Sequence, residues 1–152
     1  QNDMRVLLLH LRPTELENKT LQEGLQMILK ELTDKSNIRV VYKDMVKKVP
    51  KRIEDNLFRI AQEFISNTLK HAKASQIEVY LYQNSQEIQL KMLDNGVGFD
   101  LNASTDEMSY GLKNIQERVD EMAGTVQFLS AKGKGTSIDV RVPILRGEDN
   151  VE

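Results

Sequence analysis

Three blocks of polar residues and glycines follow one another along the chain, and each carries groups that suit nucleotide chemistry. Residues 62–72 (QEFISNTLKHA) offer amides, a carboxylate and cations. Residues 94–99 (DNGVGF) place a carboxylate beside two glycines, and residues 133–136 (GKGT) place a hydroxyl after a glycine turn. An amide oxygen suits a phosphate-bound Mg²⁺, cations suit phosphates, and a carboxylate accepts from an adenine amino group. The ordered set predicts an ATP pocket.

Asn67, in the first block, lies close to the core face of a predicted helix. At about 100° per residue it sits about 40° from the apolar stripe of that helix, which contains Ile53, Leu57, Ile60, Phe64 and Thr68. A polar group so near the core needs a partner, and a neutral amide oxygen can ligate Mg²⁺ when phosphates supply negative charge. The alternatives are a satisfied structural asparagine or simply the solvated flank of the helix, along which Glu63, Asn67, Lys70 and His71 all lie.

Asp94, in the second block, ends a predicted strand and is the candidate acceptor for the adenine amino group. Gly96 and Gly98 lack a Cβ, so their backbone can approach a flat base. Thr136 has a hydroxyl that can hold the Asp94 carboxylate or a water beside it. The alternatives are an ordinary Asp/Asn/Gly turn at residues 94–98 and a β-branched strand residue at 136.

Gly111 is predicted to open a helix directly after the aperiodic residues 100–109, which we expect to form a mobile loop. Free N–H groups at a helix N-terminus bind phosphate. Because every helix has such an end, only the position of Gly111 between Asp94 and Thr136 favours a phosphate site.

Composition excludes several other classes of function. The 152 residues fit one domain, and the 21 basic and 23 acidic residues give no strong field for nucleic acid or a membrane surface. With no cysteine there is no disulfide, thiolate metal site or cysteine nucleophile. The apolar run Val6 to Leu9 is too short to span a bilayer, so we expect a soluble chain. His10 and His71 have no companions at metal-ligand spacing, so no zinc site is expected.

The elements that position the three blocks alternate between helical and strand patterns. The pattern predicts a helix from the Thr20/Glu23 capping box to Asn37, a strand at 38–43, a helix at 51–72, a hairpin at 77–82 and 88–93, a helix at 111–123 stopped by Gly124, and a hairpin at 125–129 and 137–142. Such an order predicts an α/β two-layer sandwich, with a mainly antiparallel sheet and helices on one face.

The first residues, Gln1-Asn2-Asp3, suggest a fragment of a longer polypeptide, and Asp3 to Leu11 are predicted to be the end of a helix closed by Pro13. We therefore divide the chain into residues 1–13, the end of a truncated helix and its linker, residues 14–145, the nucleotide-binding domain, and residues 146–152, a charged tail.

The ordered motifs resemble the ATP-binding domain shared by gyrase, Hsp90, histidine kinases and MutL, which has the Bergerat fold. More narrowly, the chain is similar to the catalytic domain of the NarX/DesK/LiaS-type sensor histidine kinases. The motifs that carry this likeness are Leu11-Arg12-Pro13, residues 62–72, residues 94–99, residues 111–118 (GLKNIQER) and Gly135-Thr136. The lid with a single glycine and the missing phenylalanine box depart from the larger histidine kinase families.

The resemblance implies a role for each motif residue. It places Asn67 on Mg²⁺, Lys70 and His71 near the phosphates, and Glu63 where hydrolytic relatives carry a water-activating carboxylate. The implied catalytic set is therefore Glu63, Asn67, Lys70 and His71. The implied nucleotide contacts also include Asp94, Gly96, Gly98, the lid residues Gly111 and Leu112, and Thr136 supporting Asp94.

The resemblance also implies a function with ATP and Mg²⁺ as cofactors. The γ-phosphoryl would pass to a histidine on a separate helical dimerisation domain, then to a response regulator in cell-envelope stress signalling, and the fragment would not autophosphorylate. The domain would be the cytoplasmic part of a membrane-bound parent, without nucleic-acid or direct membrane contact. The alternatives are an anti-sigma-factor-type serine kinase and a nucleotide-dependent interaction module without phosphotransfer.

Overall fold

The helices and strands are those of a computed structural model that describes residues 19–103 and 106–145. They are α1 (Leu21–Ser36), β1 (Arg39–Met45), α2 (Lys51–Asn67) continued by a π-helical turn (Thr68–Ala72), β2 (Gln76–Gln83), β3 (Glu87–Asp94), a 3₁₀ turn (Leu101–Ala103), α3 (Asp106–Glu121), β4 (Thr125–Ser130) and β5 (Thr136–Pro143). The predicted helix end at 3–11 and the charged tail at 146–152 lie outside the described residues.

The five strands form one sheet in the order β1-β2-β3-β5-β4. β1 and β2 are parallel, because α2 connects them as a crossover, and the other three pairs are antiparallel. In this register Asp94 pairs with Ile77 on one side and with Thr136 on the other. The predicted mainly antiparallel sheet is confirmed, and its register brings the second and third sequence blocks together.

The core lies between the helices and one face of the sheet. The apolar stripe of α2 packs on alternate residues of the strands, and the buried contacts include Ile53, Leu57, Ile60, Phe64, Val79, Leu81, Leu90, Met92 and Val140. Strands β2 and β3 each alternate buried with half-buried residues, as expected for a sheet with one covered face. The predicted two-layer arrangement is confirmed.

Helix α1 begins and ends where local chemistry requires it. The Thr20 hydroxyl accepts from the Glu23 N–H, and the Glu23 carboxylate accepts from the Thr20 N–H, which completes the predicted capping box. Asn37 follows the helix in the left-handed conformation, with φ 54°. Both predicted ends of α1 are confirmed.

Helix α2 covers the predicted range 51–72, but its last turn has another geometry. Thr68–Ala72 form a π-helical turn, and Lys73 ends it with φ 51°. Turns of this kind are uncommon and occur often at functional sites.

The predicted start of helix α3 is wrong. The helix begins at Asp106 rather than at Gly111, and the loop predicted for 100–109 contains both the 3₁₀ turn and the first residues of α3. The physical reason is Met108, which is buried and extends the apolar stripe of Ile115 and Val119 by two turns. The C-terminal stop is confirmed at Gly124, whose N–H donates to the Val119 carbonyl, although Ala123 takes the left-handed position with φ 56°.

Candidate functional site

A cavity of about 250 Å³ lies where α2, α3, β3 and β5 meet. Six of the predicted site residues line it: Asn67, His71, Asp94, Gly98, Leu112 and Thr136. The structure therefore brings together side chains from all three sequence blocks. The prediction missed the apolar walls, which are Phe64, Ala72, Phe99, Met108, Ile115 and Ile138. The sequence marked Phe64 and Ile115 only as core positions.

Asp94 is the buried carboxylate at the floor of the cavity, with 8% of its surface exposed. Its Oδ1 accepts from the Gly96 N–H at 2.9 Å and from the Thr136 N–H at 3.2 Å. Its Oδ2 accepts from the Thr68 hydroxyl at 2.9 Å. Three donors from three segments therefore hold the carboxylate in one orientation, as a buried charge requires.

Thr136 supports Asp94 by a different atom from the one predicted. Its backbone N–H donates to Asp94, whereas its hydroxyl pairs with the Ser130 hydroxyl at 2.9 Å. The expectation that the Thr136 hydroxyl holds the carboxylate is therefore wrong, and the alternative that it holds a water stays a prediction. The reason is the strand register, which sets the Thr136 backbone rather than its side chain against Asp94.

Thr68 supplies the hydroxyl instead, and the prediction missed this role. It is 3% exposed on the apolar stripe of α2, and its hydroxyl also lies 3.1 Å from the Phe64 carbonyl oxygen. A polar side chain within an apolar stripe was the available signal, because such a group needs a buried partner.

Gly96 and Gly98 are glycines for a different reason from the one predicted. A Cβ on Gly96 would lie 2.3 Å from the Ala72 carbonyl oxygen. A Cβ on Gly98, which has φ +65°, would lie 2.0 Å from the Ala131 carbonyl oxygen. Both missing Cβ atoms thus make room for protein backbone, which corrects the argument that they clear space for a base. Gly98 lines the cavity, whereas Gly96 does not.

The α2 end of the cavity holds the other predicted residues, and the structure separates them. Asn67 and His71 line the cavity. Lys70 is exposed on the π-helical turn, and Glu63 lines a second groove on the other side of Gly111. The predicted catalytic set is therefore gathered on one stretch of helix, but only half of it, Asn67 and His71, lines the cavity.

Gly111 does not offer the free helix N-terminus that the sequence suggested. It is the sixth residue of α3, so its N–H belongs to the helical hydrogen-bond ladder, and a phosphate site based on a helix start at Gly111 is ruled out by this geometry. Instead, Gly111 allows α3 to approach α2 closely. A Cβ on it would lie 2.7 Å from Glu63 Oε2 and 3.1 Å from Asn67 Nδ2. Its contact with a nucleotide stays a prediction.

Within residues 19–103 and 106–145, no group of three His, Asp or Glu side chains could hold a metal ion. A cation beside Asn67 would therefore need most of its ligands from phosphate and water, which is the situation in which an amide oxygen suits Mg²⁺. No helix in this described part of the chain is long and apolar enough to cross a membrane.

Comparison with known proteins agrees with the geometry. The chain is 44% identical to the sensor histidine kinase LiaS of Bacillus subtilis, over 97% of this chain and 41% of that protein. It is 43% identical to the sensor protein VraS of Staphylococcus haemolyticus, over 99% of this chain and 43% of that protein. The chain thus spans less than half the length of these relatives.

Solved structures confirm the fold. The histidine kinase domain of the Erythrobacter litoralis EL346 blue-light activated kinase aligns with a TM-score of 0.67 at 16% identity, covering 96% of this chain and 74% of that one. The Acinetobacter baumannii histidine kinase AdeS aligns with a TM-score of 0.60 at 16% identity, covering 93% and 76%. The profile of the histidine kinase-, DNA gyrase B- and HSP90-like ATPases matches residues 52–146, which contain all three sequence blocks. The chain belongs to this family of ATPases and has its Bergerat fold, as the motifs predicted.

Proposed function

We propose that this domain binds ATP·Mg²⁺ and presents the γ-phosphoryl group to a histidine on a separate helical domain. The observation that carries the proposal is the buried Asp94 carboxylate, held by Thr68, Gly96 and Thr136 at the floor of a cavity in an ATPase fold. A fixed acceptor beside the apolar walls of the cavity suits the amino group of adenine.

Asn67 supports the metal part of the proposal. It lines the cavity, and no group among the described residues hydrogen-bonds its side-chain amide. Its side chain is half-buried and lines the cavity, so the amide is open to a ligand there. Asn67 Oδ1 would hold Mg²⁺, which supplies charge neutralisation to the phosphates, with Lys70 and His71 beside them.

Catalysis in this scheme is positioning and charge neutralisation. A histidine nitrogen forms a bond to the γ-phosphorus as the bond from phosphorus to the bridging oxygen breaks. ADP leaves with the electron pair, and the imidazole passes its proton to water. The chain needs no covalent chemistry of its own, and Glu63, at the border of the site, is the carboxylate available near the transferred group.

The proposal also includes a role in signalling. The phosphoryl group would pass from the helical domain to a response regulator in cell-envelope stress signalling, with the parent protein in the membrane. The likeness to LiaS and VraS over nearly the whole chain supports this assignment.

Reconstitution in two parts tests the proposal. This chain, γ-labelled ATP, Mg²⁺ and a separately made helical domain of the parent kinase should give acid-labile, base-stable phosphohistidine on the helical domain. The matched controls are a helical domain whose histidine is replaced by alanine and an Asp94→Asn variant of this chain. Acid-stable phosphoserine on a protein partner would favour the serine kinase instead, and nucleotide binding without any transfer would favour the interaction module.

A further inference from the structure

Helices α2 and α3 pack side by side, and two contacts between them mark the ends of a groove. At one point Arg118 Nη1 donates to Asn56 Oδ1 at 3.2 Å. At the other, Gly111 lies against Glu63 and Asn67. Between these contacts an open groove of about 420 Å³, the α2–α3 groove, is lined among others by Arg59, Gln62, Glu63, Ser66, Asn114 and Arg118. This groove lies outside the nucleotide cavity.

Gln62 is the buried polar residue of the groove, with 5% of its surface exposed. Its Oε1 accepts from Arg59 Nη1 at 2.8 Å. This contact fixes the orientation of the amide, because the flipped amide would set two donors against each other. Its Nε2 then has no acceptor among the described residues. A buried amide donor of this kind calls for an explanation, and an acceptor entering the groove would supply one.

The charged side chains of the α2–α3 groove differ in how deeply they are buried. Arg59 and Arg118 are half-buried beside Gln62, whereas Glu117 and Glu121 are exposed at the rim. Donors and cations therefore surround Gln62, whereas the carboxylates lie at the exposed rim and, as half-buried Glu63, at the Asn67 end of the groove. The matching ligand has a carboxylate that enters the groove and a basic group that stays at the rim.

The position of the groove identifies the kind of partner. Glu63 lies at the end of the groove beside Asn67, and Ile115 lines both the groove and the nucleotide cavity. A domain that takes the phosphoryl group at the Asn67 end would have this groove beside it. We infer that the α2–α3 groove docks an acidic side chain of the helical phosphoacceptor domain, flanked by a basic residue. The inference rests on the proposed function and names the contact surface that it uses.

A Gln62→Glu variant tests the inference. The new carboxylate would neutralise Arg59 and repel an incoming acid, so binding of the separately made helical domain should weaken about tenfold. Calorimetry in the presence of a nonhydrolysable ATP analogue and Mg²⁺ measures the affinity of the chain for the helical domain. The matched control is Gln116→Glu, the same change on the exposed face of α3, where binding should stay within about twofold of wild type.

The affinity for the nucleotide analogue separates docking from nucleotide binding. It should be unchanged in Gln62→Glu, because Gln62 does not line the nucleotide cavity. If Gln62→Glu fails to fold, Arg118→Gln tests the same surface by removing the cation. A folded Gln62→Glu or Arg118→Gln protein that binds the helical domain as wild type does would overturn the inference. So would a wild-type chain that shows no binding to that domain.

Failure of the proposed function gives a different result. In that case wild type would bind the helical domain, the groove variants would weaken binding, and no phosphohistidine would form.

Discussion

The two ends of the nucleotide cavity are built differently. At the β3 end Asp94 is buried and both of its carboxylate oxygens accept hydrogen bonds. At the α2 end Asn67 is half-buried, and no described group bonds its side-chain amide, while Lys70 is exposed. The contrast indicates that the Asp94 end, where we propose that the base binds, is organised in the protein itself. We expect the phosphate-binding end to take its final geometry with the ligand.

The largest effect should come from Asp94→Asn. An asparagine can keep most of the local hydrogen bonds, because Thr68 can accept from its Nδ2 while donating to the Phe64 carbonyl. The fold should survive, but one acceptor becomes a donor facing the adenine amino group. Affinity for ATP and for adenosine should fall about 10- to 100-fold. Calorimetry measures it, and a folded variant with wild-type affinity would remove Asp94 from the pocket.

Asn67→Ala should distinguish the contributions of the two ends of the cavity to binding. We expect affinity for ATP·Mg²⁺ to fall about tenfold, because a metal ligand is lost. Affinity for adenosine without metal should hardly change, since adenosine uses only the Asp94 end. Titration of both ligands into the same protein preparation measures the difference. Equal losses for the two would mean that Asn67 has a structural role.

Thr68→Val should have a smaller effect, at the Asp94 end alone. Valine keeps the shape of threonine and removes the donor to Asp94 Oδ2. Adenosine affinity should fall about fivefold, and the free energy of unfolding should fall by about 1 kcal/mol. Denaturant titration and calorimetry measure the two quantities. Thr68→Ser keeps the hydroxyl and is the control, so an equal loss in Thr68→Ser would show that the hydroxyl is not the cause.

Gly111→Ala should have the smallest effect, and stability and binding should change in opposite directions. Alanine favours an α-helix over glycine by about 1 kcal/mol, so the free energy of unfolding should rise. Its Cβ would press on Glu63 and Asn67, whose side-chain ends can shift, and ATP·Mg²⁺ affinity should fall about threefold. Lys113→Ala, exposed on the same helix, should leave that affinity unchanged. Unaltered binding in Gly111→Ala would show that this contact does not position Asn67.

Local signals in the sequence were sufficient for most of the fold. The capping box at Thr20 and Glu23 needs only residues near in sequence, and so does the alternation of β2 and β3. The start of α3 was misplaced because Ser109 and Tyr110 are exposed polar residues, which left Met108 as the single sign that the helix begins earlier. The π-helical turn was missed because five residues are too few to distinguish its period from that of an α-helix.

The sequence predicted which residues form the candidate site better than it predicted which residues they contact. Asp94 was placed correctly at a strand end, but its partner Thr68 lies 26 positions away in sequence. The helical spacing of the apolar residues of α2 marked Thr68 as a core position, but it gave no sign of which residue Thr68 contacts. The glycines show the same limit, since the backbone that crowds Gly98 comes from Ala131, in a different part of the chain.

The π-helical turn at Thr68–Ala72 also has a consequence for the evolution of relatives. Its i→i+5 bonding holds one more residue than an α-helical turn, so it is equivalent to a one-residue insertion after Asn67. A chain that lost one of these residues would keep α2 and the sheet, but it would turn Lys70 and His71 about the helix axis relative to Asn67. A single-residue gap here in an alignment would therefore mark relatives in which the residues equivalent to Lys70 and His71 lie on a different side of the helix.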